Sequence, residues 1–232
     1  VMQTSELLKM MSDMFFDPYI IDIILLSLGV SLVALLTSVI FSLITASILT
    51  IYNFFGKNTL TIIINSLMSI PPVAVGLFFY ILLSQSGPLG HLNLLYSPTA
   101  MVLAQFVIVT PIIITLSKDT LDQTYDRLHD YLFILKSGFI LKMKTILWES
   151  RYSLMINVLT GLSRALSEVG AVIIVGGNID YMTRVMTTSI VLETSRGDIQ
   201  RAVSLGIILI LIALLINIML NLVKRLEIRA HG

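Results

Sequence analysis

The chain of 232 residues is 56% hydrophobic and 12% charged, with a formal net charge of +1 and a mean hydropathy of +0.93. Soluble domains carry about 25% charged residues, so the composition indicates a polytopic membrane protein, expected to be all-α from the long apolar segments below, and its near-zero charge gives no footprint for nucleic acid. Cysteine is absent and the three histidines, His91, His129 and His231, stand without ligand spacing, so disulfides, thiolate chemistry and a metal site are not expected.

Residues 1–22 are expected to form an external N-terminal segment without the basic, apolar and small-residue pattern of a secretory signal. Insertion would then be directed by the first span. Five apolar segments are long enough to cross a bilayer, at about 23–50, 60–83, 99–117, 153–176 and 202–222. Residues 118–151 form the expected cytoplasmic loop, and residues 223–232 a cytoplasmic tail. Orientation follows from the basic residues. One set of loops carries ten Lys and Arg: Lys57, six from Lys118 to Arg151, and Lys224, Arg225 and Arg229. The opposite set carries four, Lys9, Arg184, Arg196 and Arg201. The richer set marks the cytoplasm.

The second span holds Pro71 and Pro72. Neither has an N–H, so the carbonyls of Leu67 and Met68 lose their helical donors, and in lipid something must compensate. This is either a structural kink or a broken helix beside a translocation path. Pro111 in the third span has the same two readings.

The 118–151 loop contains 11 of the 29 formal charges. Leu121, Tyr125, Leu128, Leu132 and Leu135 share one helical face, and Asp119, Asp122, Asp126 and Asp130 fall on another. A basic-apolar piece from Phe139 to Trp148 follows a joint at Ser137-Gly138. The acidic face could keep the loop soluble, but the apolar face must be covered, which favours docking by a cytosolic partner.

The fourth span carries Arg164 and Glu168, about 16 Å or more into the segment from Ser153. Charge at that depth costs about 2.5–3.5 kcal/mol, so these groups should face protein or water. Read as one continuous helix, the spacing of four lets them pair, as a structural lock or as part of a gate. Between the last two spans, Asn178, Arg184, Thr187, Thr188 and Ser189 supply donors suited to an oxyanion, or simply tie a surface loop together. No energy-converting site is expected. Gly56-Lys57-Asn58-Thr59 lacks the earlier glycine and the Ser or Thr of a phosphate loop. ATP hydrolysis would need a separate polypeptide.

Four linked features resemble the permease subunit of bacterial ABC importers for oxyanions. They are Ile70-Pro71-Pro72-Val73-Ala74-Val75-Gly76, Gly87-Pro88-Leu89-Gly90, Ser163-Arg164-Ala165-Leu166-Ser167-Glu168-Val169-Gly170-Ala171, and the intervening loop. The runs 97–105, 168–179, 183–188 and 192–198 are similar to the tungstate branch of that group, with the molybdate and sulfate permeases as relatives. The resemblance implies a type I, MetI-like permease fold and import of an oxyanion, tungstate first and molybdate or another small anion as the alternative. A secondary transporter or channel is a weaker reading, because no internal repeat is evident.

The resemblance also implies a homodimer, two cytosolic ATPase subunits that bind ATP and Mg, an external solute-binding protein, and no cofactor in this chain. The family's cytoplasmic loop supplies a coupling helix. Counting back from the fourth span places its Glu-Ala-Ala at Asp130-Tyr131-Leu132 and its usual glycine at Lys136, with the glycine of this chain displaced to Gly138. Coupling residues are thus expected at Asp130, Tyr131, Leu132, Leu135, Lys136, Gly138 and Lys142. The pathway or gate is expected at Arg164, Glu168, Asn178, Arg184, Thr187 and Thr188, beside the helix break at Pro71 and Pro72.

Overall fold

The computed structural model describes residues 17–231; the external segment expected for residues 1–22 lies mostly outside them. All regular structure among the described residues is helical. In chain order the helices are α1 (Pro18–Ile51), α2 (Lys57–Leu67), α3 (Pro72–Leu83), α4 (Pro98–Ile134), α5 (Phe139–Glu149), α6 (Arg151–Leu166), α7 (Gly170–Gly176), α8 (Met186–Arg196) and α9 (Ile199–His231), with a short 3-10 turn at Gly90–Leu92. Three helices, α1, α4 and α9, are each long and apolar enough to cross a membrane. The number rises to five if the broken pairs α2 with α3 and α6 with α7 are each one span.

Local chemistry explains the boundaries. Proline at the first helical position loses nothing, because that N–H has no intrahelical partner. At α1 the Tyr19 N–H donates to Asp17 Oδ1 at 3.0 Å, just ahead of Pro18. At α4 the Ala100 N–H donates to Ser97 Oγ at 3.3 Å, just ahead of Pro98. Both are side-chain N-caps. Pro72 opens α3 in the same way, and the helix before it has ended at Leu67.

Several bounds differ from the sequence reading. The helix of the third span does not stop at Ser117 but runs unbroken to Ile134, so the first half of the expected loop is a helical extension. Its apolar face, Leu121 above all, packs into a core and so keeps the helix continuous. The last helix likewise continues through most of the expected tail. The fourth span is divided: α6 ends at Leu166 and α7 begins at Gly170. The segment after it, expected to be external, contains a helix of its own, α8. Pro111 sits inside α4 without breaking it. Ser42 Oγ donates to the Thr110 carbonyl at 3.2 Å and Ser38 Oγ to the Phe106 carbonyl at 3.5 Å, so hydroxyls of α1 serve the backbone near the proline.

The chain divides into two compact units. The first comprises residues 1–33, 72–105 and 166–215; the second comprises 34–71, 106–165 and 216–232. In the first unit Ile20 and Ile23 of α1 bury with Met186 of α8 and Leu205 and Ile208 of α9. Gly76 brings α3 against α7: a methyl built there would lie 2.7 Å from Ala171 Cα and 3.2 Å from its carbonyl oxygen. In the second unit Ala46, Leu121, Leu132, Ile146 and Leu154 form one cluster, and Leu35, Val109, Ile113 and Ala165 another.

Candidate functional site

Two regions carry the sequence-derived candidates. The first is the non-helical stretch Ser167–Val169 with the loop that leads to α8, inside the first unit. Glu168 is buried. Its Oε1 accepts the Ala171 N–H at 3.1 Å, and its carbonyl accepts the Thr187 hydroxyl at 3.0 Å. The carboxylate therefore sits at the start of α7, where negative charge meets the helix's exposed N–H groups. A methyl on Gly170 would lie 2.6 Å from Val73 Cγ2, so the beginnings of α3 and α7 are in contact. The break at Pro71-Pro72 and the break at Ser167–Val169 thus each begin one of two touching helices, α3 and α7.

Arg164 lies in the last turn of α6 and is partly buried. That helix ends at Leu166, so Arg164 and Glu168 do not belong to one continuous helix as the sequence reading assumed. The cause is local. Glu168 gives its side chain to a helix start rather than to an unbroken helix, and Gly170 admits the close approach of Val73.

The loop after α7 is laced internally. Gly177 and Asn178 both take left-handed conformations, with φ of 71° and 51°. Thr183 Oγ1 donates to the Gly176 carbonyl at 2.6 Å and accepts the Ile179 N–H at 2.9 Å. Arg184, 7% exposed, pairs through Nη1 with Asp180 at 2.9 Å, donates to the Tyr19 hydroxyl and reaches the Asn178 carbonyl at 3.4 Å. Thr188 exchanges bonds with the Val185 backbone, accepting its N–H and donating to its carbonyl, each at 3.1 Å, and so caps α8. Asn178 donates to the Thr188 carbonyl at 3.5 Å. Most donors counted for an oxyanion therefore meet backbone or a carboxylate. The buried atoms left without a partner here are Arg184 Nε, Asn178 Oδ1 and Ser189 Oγ. Asp180, Tyr19 and Glu168's bond to Thr187 were missed by sequence reasoning. Only Asp180, four residues before Arg184, left a signal.

The second region is the α4–α5 turn, inside the second unit. Leu132 is buried, but Tyr131, Phe133, Ile134 and Leu135 are 69–77% exposed, as are Ile140 at 75% and Trp148 at 69%. Asp130 and Lys136 face solvent, and Lys142 is partly covered. The turn closes α4 with Ser137 N–H to the Leu132 carbonyl at 3.2 Å and Lys136 N–H to the Phe133 carbonyl at 3.0 Å. This is the 6→1 and 5→2 pairing that normally places glycine at the left-handed residue. Here Lys136 occupies it with φ 46°, whereas Gly138 is extended at φ −70° and ψ 167°. The backbone thus puts the glycine-type conformation at the position counted from the fourth span, not at the displaced glycine. At the end of α8 the same closure uses Gly197, at φ 81°.

The chain is 42% identical over 202 residues to the tungstate uptake system permease protein TupB of Peptoclostridium acidaminophilum, covering 87% of this chain and 89% of that one. It is 36% identical to the protein of the same name from Campylobacter jejuni, covering 75% and 73% of the two chains. It is 34% identical to a probable anion ABC transporter permease protein of Haloferax volcanii, covering 86% and 88%. A scan of protein-family models finds no match. The chain belongs to the permease subunits of ABC-type anion transporters. It is accordingly an all-α, multi-pass protein of the cytoplasmic membrane, with three to five candidate spans among the described residues.

Proposed function

We propose that this chain is the membrane subunit of a tungstate importer, with molybdate or another small oxyanion as the second reading. The 42% identity to a tungstate uptake permease along 87% of the chain carries the first reading. The anion permease of Haloferax volcanii favours keeping the second. Two copies form the pathway, an external binding protein delivers the anion, and ATP with Mg is bound and hydrolysed in separate cytosolic subunits. Selectivity then resides mainly in the binding protein, because tight ligands in the path would oppose release.

Coupling is assigned to the surface around Asp130, Tyr131, Leu135, Lys136, Gly138 and Lys142, facing the cytoplasm. Its support is physical: five apolar side chains between Tyr131 and Ile140 are at least 69% exposed, next to a turn held in a fixed conformation. Leu132 anchors the turn from within the core. The gate is assigned to the two helix breaks. Glu168 holds the start of α7, Arg164 closes α6, and Asn178, Arg184, Thr187 and Thr188 fix the loop that leans on Glu168.

Leu135→Glu tests the coupling assignment. The variant places a charge on an exposed position, so insertion and thermal stability should be unchanged while copurification of the ATPase subunit falls at least tenfold. Undiminished copurification and transport would move the docking surface elsewhere.

A further inference from the structure

One groove of the second unit belongs neither to the translocation breaks nor to the coupling turn. It has a volume of about 380 Å³. Its walls are Leu43 of α1, Leu147 of α5, Leu154 and Val158 of α6, and Met219 and Val223 of α9, and a single charged residue, Arg151, stands among them. Walls this apolar suit an acyl chain, and three of the four helices that form the groove, α1, α6 and α9, belong to candidate membrane spans.

Arg151 decides which lipid. Its guanidinium lies 4.9 Å from the centre of the Trp148 ring and 4.6 Å from that of Tyr152, and Nη1 donates to the Trp148 carbonyl at 2.9 Å. The two rings and the carbonyl hold the cation in place without neutralising it. No carboxylate pairs with Arg151 among the described residues. The nearest acid in sequence, Glu149, lines a different, polar cavity with Asp126 and Glu227. Lys224 and Arg225, directly after the groove residue Val223, are exposed and add positive charge at this end. An oriented cation lining an apolar groove, flanked by Trp and Tyr, matches an anionic headgroup whose acyl chain lies along the apolar walls.

We propose that this groove binds one anionic phospholipid, with an acyl chain along Leu154 and Val158 and the phosphate against Arg151. The purified full chain, delipidated in detergent and offered phosphatidylglycerol or phosphatidylcholine, gives the test, with bound lipid counted by native mass spectrometry. Retention of phosphatidylglycerol should exceed that of phosphatidylcholine about fivefold, the worth of one basic side chain near an anionic surface. Arg151→Gln should erase that preference while a lipid still binds, and Val158→Trp should lose both lipids by filling the groove.

If Val158→Trp fails to fold, Arg151→Gln alone decides. Equal retention of the two lipids by the unaltered chain, or a preference that survives Arg151→Gln, overturns the proposal. Displacement of phosphatidylglycerol by soluble phosphate or tungstate would assign Arg151 to a free anion and overturn it too. So would rapid disulfide formation between two copies of Met219→Cys in membranes, because the groove would then be covered by a second chain; the protein has no other cysteine.

Discussion

Replacing Gly76 with alanine isolates the contact that brings the two helix breaks together. The new methyl would sit 2.7 Å from Ala171 Cα, where about 3.4 Å is the lower limit of ordinary contact. The atom it meets is backbone, so no rotamer change relieves it, and α3 and α7 must separate by roughly 0.7 Å. Overpacking of this kind costs about 1–3 kcal/mol, while alanine in place of glycine within a helix returns about 1 kcal/mol. The net expectation is a loss of about 1 kcal/mol, or a fall of about 2–4 °C in Tm for a chain of this length. Gly29 of α1 supplies the control, because nothing lies within 4 Å of a methyl built there. Gly29→Ala should gain from helix propensity alone and raise Tm by a similar amount. Thermal unfolding of the two variants in the same detergent gives the comparison. Ala171→Gly should not rescue Gly76→Ala, because the clashing Cα remains. Equal Tm values for Gly76→Ala and Gly29→Ala would refute the close approach of α3 and α7.

Lys136→Gly should raise stability by about 1 kcal/mol, since a left-handed lysine costs about 1–2 kcal/mol and glycine's greater freedom in the unfolded chain takes part of that back; Tm in detergent measures it. Arg184→Met should lose about 1–3 kcal/mol, because bonds to Tyr19, Asp180 and Asn178 vanish from a buried site. Its uptake KM should stay unchanged, and a raised KM at unchanged Tm would assign Arg184 to anion contact instead. Cysteines introduced singly at Ser86 and at Leu135, both exposed, test the topology in intact cells. An impermeant thiol reagent should label the first and spare the second, and the reverse pattern would invert the orientation drawn from the basic residues.

The sequence carried the helical class, the membrane environment and the family because those depend on long apolar runs and contiguous motifs. It carried the break at Pro71-Pro72 because proline chemistry is local. It did not carry the break after Leu166. Nothing in Ser167-Glu168-Val169 forbids helix, and the break follows from tertiary partners: the Thr187 hydroxyl on the Glu168 carbonyl and Val73 against Gly170. The helical face after Ser117 was legible, but its continuity with the third span was hidden for the opposite reason. Its charged face resembles a loop, while Leu121 and Leu132 bury against Ala46 and Ile146, far away in sequence. The same distance hid Tyr19 as a partner of Arg184. The apolar face of 121–135 suggested a docking surface, yet the structure buries Leu121 and Leu132 of that face within the chain. The left-handed conformation falls at Lys136, where the family's glycine was counted, although lysine itself gives no sign of it.

The most direct measurement is uptake into proteoliposomes that contain this chain, its ATPase subunit and the binding protein, supplied with internal ATP and labelled tungstate. Tungstate should accumulate only when all three components and ATP are present, with molybdate a weaker competitor and sulfate ineffective. Accumulation without ATP, or without the ATPase subunit, would contradict the account, as would sulfate competing as well as tungstate.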